Sequence, residues 1–350
     1  MKNLVIGDLT ARFPIVQGGM GVGISMHRLA SAVAREGGIG VISAAQPGYL
    51  EDDFAGNVRE ANMRALAREI KLAKEQAEGG IIGVNIMVAM KGYEDFVHCA
   101  VDAGADIIIS GAGLPMDLPK LTKGSKAKLA PIVSSAKAAK VILSRWAKQE
   151  DITADLVVIE GPKAGGHLGF KADEIATYTD EMMDNEIAKV LEVVKEYEQR
   201  YNKKIPVIFG GGVYTRADID HFMSLGLAGV QMATRFVATE ECDADINFKM
   251  AYINAKKEDI QIVKSPVGMP GRAIRNNFIR HSETDKHAIE KCYGCLSKCD
   301  MKNIPYCISQ ALFNAAKGDT DNALLFCGEN AYRVDKITTV KEIFKELTAE

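Results

Sequence analysis

The chain has 350 residues, 47% of them hydrophobic and 25% charged, with a formal net charge of −3. That composition is globular rather than disordered or fibrous, and without a basic excess it offers no field to hold nucleic acid or an anionic membrane. No uncharged apolar run approaches the ~18 residues of a membrane helix, the opening MKNLVIGDLTARF does not read as a signal peptide, and seven cysteines, an odd number, point to a reducing cytoplasm.

Eight short apolar runs rich in strand-forming residues recur along the chain, most of them closing on Gly or Ser. They are 14–18 (PIVQG), 39–43 (IGVIS), 83–88 (GVNIMV), 106–111 (DIIISG), 130–135 (APIVSS), 156–161 (LVVIEG), 206–211 (PVIFGG) and 229–233 (GVQMA). They are apolar on both faces, as buried parallel strands are. Helical periodicity lies between them. Met26, Leu29, Ala30 and Val33 form one stripe, with Ser25 as the expected N-cap. Ile187, Val190, Leu191, Val194, Tyr197 and Tyr201 form another. Eight strand-then-helix units predict an α/β chain folded as a (β/α)8 TIM barrel. An open doubly wound sheet is the alternative, disfavoured by the count and by the lack of a Rossmann fingerprint.

The pattern places the eighth strand's helix over 241–257 and the barrel over 1–260. Residues 261–350 then form a C-terminal, Cys-containing extension packed on the barrel, ending in an amphipathic helix near 339–347. No Pro/Ser-rich linker separates the two parts.

In this fold the chemistry sits at the C-terminal ends of the strands. The first strand runs into Gly18-Gly19-Met20-Gly21-Val22-Gly23, the seventh into Gly210-Gly211-Gly212-Val213, and the eighth into Gln231-Met232-Ala233-Thr234-Arg235. Barrels frequently bind phosphate with the loops after strands seven and eight. Consecutive glycines bare backbone N–H donors and Thr234 adds a hydroxyl, so a phosphorylated ligand is expected; plain turn chemistry is the alternative. No Walker A or H-E-x-x-H motif occurs. The sixth strand leads into Glu160-Gly161-Pro162-Lys163-Ala164-Gly165-Gly166-His167-Leu168-Gly169. A histidine there meets substrate, and its ordinary pKa of ~6.5 suits proton transfer. Asn85 interrupts an apolar strand and reads either as a satisfied core amide or as a ligand contact. Ser110 and Ser134 carry the same ambiguity, with the core reading favoured.

Together these residues resemble the nitronate monooxygenase (2-nitropropane dioxygenase) family of FMN-dependent (β/α)8 barrels, and the similar flavin-dependent enoyl-acyl-carrier-protein reductases. The similarity runs over about 4–277 and resumes over about 325–347. Its most specific piece is the 159–169 run, which looks like the family's E-G-x-x-A-G-G-H-x-G signature; 17–20, 210–213, 229–236 and 265–273 follow. The resemblance implies that His167 is the catalytic base or substrate-orienting group. It implies that Gly211, Gly212, Ala233 and Thr234 hold the FMN phosphate, and that Met20, Asn85, Glu160 and Gly166 line the isoalloxazine or ribityl. Gly19 and Gln231, inside the matching segments, are placed in the same cofactor-binding set. Ala233 departs from a glycine common in the family, but it keeps its backbone N–H.

The larger departure is Cys292-x2-Cys295-x3-Cys299-x7-Cys307. Its spacing resembles the iron–sulfur ligand run of old-yellow-enzyme-type reductases, although their last spacing is longer. Four thiolates suit a [4Fe–4S] cluster or tetrahedral zinc; four free thiols in a lid are the alternative.

The resemblance implies an FMN-dependent oxidoreductase that oxidises alkyl nitronates with oxygen. The alternative is a reductase in which NAD(P)H reduces FMN, and hydride then passes to an enoyl thioester. A non-catalytic flavin-binding barrel and a flavin-free phosphosugar barrel are more distant rivals. Small-molecule substrates are the expected partners, and a homo-oligomer is left open.

Overall fold

The computed structural model describes residues 1–349. Its strands in chain order are β1 (Leu4–Ile6), β2 (Leu9–Ala11), β3 (Ile15–Gln17), β4 (Ile39–Ser43), β5 (Ile81–Met87), β6 (Ile107–Gly111), β7 (Lys128–Val133), β8 (Val157–Glu160), β9 (Gly166–His167), β10 (Val207–Gly210), β11 (Gly229–Met232), β12 (Ile260–Lys264) and β13 (Pro270–Ile274). Strands β3 to β8 with β10 and β11 close into a parallel eight-stranded barrel. The barrel shuts where Gln231 sits opposite Val16 and Met232 opposite Gln17. This is the (β/α)8 TIM barrel expected from the apolar runs.

The runs form strands because both of their faces are covered. Val16, Val41, Ile109, Val158 and Ile208 fill the barrel interior, and the β1–β2 hairpin plugs its lower end with Leu4 and Ile6. The alternate residues, such as Ile42, Val84 and Ile108, pack outward on the helices. Burying a strand on both faces leaves its polar C-terminal end as the one place where side chains meet solvent or ligand.

Two helix expectations are corrected. The first helix runs His27–Arg35 and has no side-chain cap of its own. Ser25 is not the N-cap: its hydroxyl accepts from Met20 N–H at 2.8 Å and donates to Met20 C=O at 3.2 Å, bracing the first strand's loop. The helix start is served instead by the Asp243 carboxylate, which accepts from Met26 N–H at 2.9 Å and Leu29 N–H at 3.3 Å. That use of Asp243 pulls its segment into a loop. The helix expected over 241–257 is therefore only Ile246–Asn254, capped by Asp245.

The eighth place in the outer ring goes to the final helix, Val340–Thr348. It has a Thr339/Glu342 capping box and packs between the His27–Arg35 and Arg216–Ser224 helices, with Phe344 against Phe13 and Phe236. The elaboration is therefore inserted between the last strand and the last helix, and a division at residue 260 does not describe the ring. Within the insertion, β12 pairs with β13, and β13 pairs with β9 from the loop after β8.

Candidate active site

At the C-terminal ends of the strands lies a cavity of about 420 Å³, a size that suits a cofactor or drug-sized ligand. Gly19, Met20, Asn85, Glu160, Gly166, His167, Gly211, Gly212, Gln231, Ala233 and Thr234 all line it. Ser134 lines it too, whereas Ser110 is a satisfied core hydroxyl, buried and bonded to Ile86 C=O at 2.9 Å and to the Tyr93 hydroxyl at 2.8 Å.

The wall is largely backbone. A Cβ on Gly19 would overlap the Asn85 side chain, so the chain can pass over β5 only as glycine. Gly212 has φ +87°, and a Cβ there would press on the Lys163 side chain at 3.0 Å; this is backbone that other residues adopt only under strain. Asn330 donates to Gly212 C=O at 2.7 Å, fixing that turn from the far end of the insertion. At Gly21 and Gly166 a Cβ would meet nothing within 4 Å, because both face the open cavity. Gln231 Oε1 is buried without a hydrogen-bond partner. An orphaned acceptor of this kind is expensive unless a ligand supplies a donor.

The titratable groups are perturbed in opposite senses. Burial pushes the Glu160 carboxyl up to about 7 and the His167 imidazole down to about 4. His167 is therefore neutral well below neutrality, which corrects the expectation of an ordinary pKa for it. Its Nε2 lies 2.7 Å from Ser265 Oγ, and its ring meets Phe326 edge-on at 4.9 Å. The sheet reaches this histidine directly: Gly271 of β13 is opposite His167, and Arg272 is opposite Gly166.

Arg272 was not assigned a role from sequence. Its buried guanidinium donates to Pro162 C=O at 2.8 Å and also to Ala164 C=O, with Glu329 at 3.9 Å. It holds the 161–167 loop in shape. Ser265, Phe326 and Asn330 were likewise unassigned, although all lie in segments that carry the resemblance. Tyr252 donates to Phe326 C=O at 2.7 Å and anchors that return segment.

A second cavity of about 440 Å³ opens from the first. Ala45, Met87, His167 and Leu312 border both. Beyond them the wall is mostly apolar, with Val22, Met90, Phe96, Val267, Leu296 and Ile308. Arg59 lies on its rim, paired with Asp95 at 2.7 Å. Cys292, Cys295, Cys299 and Cys307 take no part in the mouth; they line a separate small hollow, which shares Cys295, Leu296 and Ile308 with the second cavity.

The profile of the nitronate monooxygenase family matches residues 2–350. The chain belongs to this family. It is accordingly an oxidoreductase of the flavin-dependent kind. A probable nitronate monooxygenase of Staphylococcus saprophyticus is 24% identical over 306 residues, covering 80% of each chain. A carboxyl-CoA dehydrogenase of Mycobacterium tuberculosis is 26% identical over 275 residues, covering 79% of this chain and 66% of that one. Among solved structures, FabK from Thermotoga maritima superposes with a TM-score of 0.72 at 24% identity, over 96% of this chain and 92% of its own. A nitroalkane oxidase from Streptomyces ansochromogenes gives 0.72 at 20% identity, over 97% and 96%. These two share the barrel. No helix among the described residues is long and apolar enough to cross a membrane.

Proposed function

We propose that this nitronate monooxygenase family member binds FMN in the mouth cavity and oxidises alkyl nitronates with oxygen to a carbonyl compound and nitrite. The residues present suit that cofactor. Gly211, Gly212, Ala233 and Thr234 would hold its phosphate, Gln231 Oε1 offers an acceptor in need of a donor, and Gly19, Met20, Asn85, Glu160 and Gly166 border the space left for the ring and ribityl. Bound FMN supplies the redox chemistry.

The single observation that carries the substrate reading is the neutral histidine at the junction of the two cavities. A nitronate arrives with its carbon acid already deprotonated. It needs orientation by a hydrogen-bonding group more than it needs a base. An imidazole held down to about 4 is a poor base at pH 7 and a serviceable hydrogen-bond partner. His167 would orient the nitro oxygens at the mouth, while the alkyl chain lies in the apolar chamber beyond. The chamber's closure by 285–307 would exclude water.

A second reading has its own support. The chamber of about 440 Å³ is larger than a small nitroalkane needs, and an enoyl thioester reduced at the expense of NAD(P)H would fill it. Carbon protonation then calls for an acid, and Glu160, raised to about 7, is a cavity carboxyl able to serve. Under either reading small molecules are the partners, and a cytoplasmic setting is supported by seven free thiols.

The deciding experiment is an anaerobic spectrum of the yellow protein with alkyl nitronate, NADH and NADPH added in turn. The nitronate should bleach it, and nitrite should appear when oxygen is readmitted. Bleaching by a nicotinamide alone, without response to nitronate, would overturn the first reading in favour of the second.

A further inference from the structure

The proposed flavin chemistry makes no use of the four clustered thiols. They sit in the longest irregular stretch of the chain's insertion, between the Asn277–Thr284 helix and the Ile308–Ala316 helix. Side-chain anchors tie that stretch to the rest of the chain: Leu296 and Tyr306 are buried, and Tyr293 packs on Phe54 and Phe313. Its Cys295 C=O accepts from Lys91 N–H at 3.1 Å, and its Ser297 N–H donates to Ala89 C=O at 3.0 Å. A loop of this length with no regular structure inside a compact domain is usually functional.

Cys292, Cys295, Cys299 and Cys307 nevertheless converge on one hollow, walled by Met301, Ile304 and Ile308 among others. All four are free thiols. The wall between them is largely apolar, while Cys292 and Cys299 are exposed and Cys295 and Cys307 are half-buried. Gly294 N–H points at Cys292 Sγ at 3.4 Å, the kind of contact that steadies a ligating sulfur. Cys307 is the residue immediately before the Ile308–Ala316 helix.

The cysteine spacing selects the kind of centre: C-x2-C-x3-C with a fourth Cys downstream is the sort of run that holds an iron–sulfur cluster. One tetrahedral zinc draws its four thiolates to within roughly 3.8 Å of each other, given Zn–S bonds of about 2.3 Å. Among the described residues no group of three or more His, Cys, Asp or Glu side chains is arranged to hold a metal ion, so the four thiols have to draw together as a centre loads. A cubane cluster places four irons between its thiolates and spans a wider set. We propose that the hollow is the site of a [4Fe–4S] cluster ligated by Cys292, Cys295, Cys299 and Cys307, which fixes the 285–307 segment as one wall of the apolar chamber. Each thiol loses its proton to solvent as its sulfur takes an iron. Because Cys295 borders both hollow and chamber, loading the cluster also sets the chamber's shape. The inference does not depend on the flavin reading, since iron, sulfide and flavin are counted separately.

The test uses full-length protein, purified anaerobically and then reconstituted with ferrous iron and sulfide. Iron, acid-labile sulfide, zinc and flavin are measured per chain, and a dithionite-reduced sample is examined by low-temperature EPR. About four iron and about four sulfide per chain are expected, with a cluster signal distinct from any flavin radical. Cys292→Ala and Cys299→Ala should each lose the signal, while Cys99→Ser, at a thiol outside the hollow, keeps it. Protease should cut within 285–307 much faster after chelation than before. One zinc without sulfide, or four titratable thiols and no metal in folded protein, overturns the proposal. So does a cluster that survives Cys292→Ala and Cys299→Ala. If those variants fail to fold, the metal and sulfide counts on the parent protein still decide.

Discussion

The two cavities that meet at His167 are built by different means. The mouth is made of barrel backbone: glycines at the strand ends, a positive-φ turn at Gly212, and one orphaned amide acceptor. The chamber is made of side chains, some from the barrel loops and some from the insertion. Backbone walls are set by the closed sheet and change little with sequence. Side-chain walls can be recut one residue at a time. The difference teaches where to look for each property: on the proposed reading, cofactor retention belongs to the mouth and substrate preference to the chamber.

The largest effect should come from the residue that serves both. Arg272 shapes the loop bearing Gly166 and His167 by donating to two of its carbonyls. Arg272→Met leaves those buried acceptors unpaired, which costs about 2–5 kcal/mol. Thermal unfolding should drop by several degrees, with flavin content and turnover falling together. A stable, yellow, active variant would break the link between the two cavities.

His167→Ala should separate them. Flavin content is expected to hold while turnover falls by about 10²-fold as the substrate loses its orientation. Near-normal turnover would leave His167 as wall and nothing more. Thr234→Ala should do the reverse. Losing one hydrogen bond to a charged group costs about 1.5–3 kcal/mol, so FMN should dissociate roughly 10–150-fold more readily. Turnover per bound flavin should be unchanged. Equal flavin affinity would remove Thr234 from the phosphate site.

The acid–base contrast across the mouth gives a pH test. Glu160 is held up at about 7 by burial, against about 4.3 in an unfolded chain. The folded state keeps this proton more firmly. Its contribution to stability is therefore present below about pH 4 and is lost as pH rises through 7. His167, held down at about 4, works with the opposite sign: folding is disfavoured as pH falls from about 6.5 towards 4. The two partly cancel in the parent protein. In flavin-free protein, Glu160→Gln should gain stability relative to the parent steadily from pH 4 to 7. A difference that stays constant with pH would mean that the carboxyl is not desolvated.

How much of this was written in the sequence follows from what makes each part. The barrel strands declare themselves because burial on both faces demands unbroken apolar runs, such as IGVIS in β4. The mouth declares itself because strand ends need glycine where a Cβ would collide, as at Gly19. Long-range partners leave no local mark. Nothing near Ser25 says that Asp243 will serve the first helix, and nothing near 241–257 says that the ring's last helix lies beyond residue 338. Arg272 and Asn330 reach backbone carbonyls more than a hundred residues away, so spacing could not reveal them. The chamber is legible only in three dimensions, because its wall joins Met87 and Phe96 to Leu296 and Leu312.

The smallest and most selective effect should therefore come from the chamber wall. Leu312 borders both cavities and sits beside Phe313, whose ring packs among Tyr49, Phe54 and Tyr293. Leu312→Trp adds a bulky ring to a space that is open in the parent, so the cost appears when substrate must share that space. A short nitronate that lies at His167 without reaching past Leu312 should keep its KM. A substrate with a chain of eight or more carbons loses burial of several methylenes, each worth about 0.8 kcal/mol. Its KM should rise by tenfold or more, with flavin content unchanged. The same comparison separates the two functional readings, because an enoyl thioester is long by nature and should suffer whichever acyl group it carries. A variant that slows short and long substrates equally would place Leu312 at the mouth, and the chamber would lose its claim to the substrate chain.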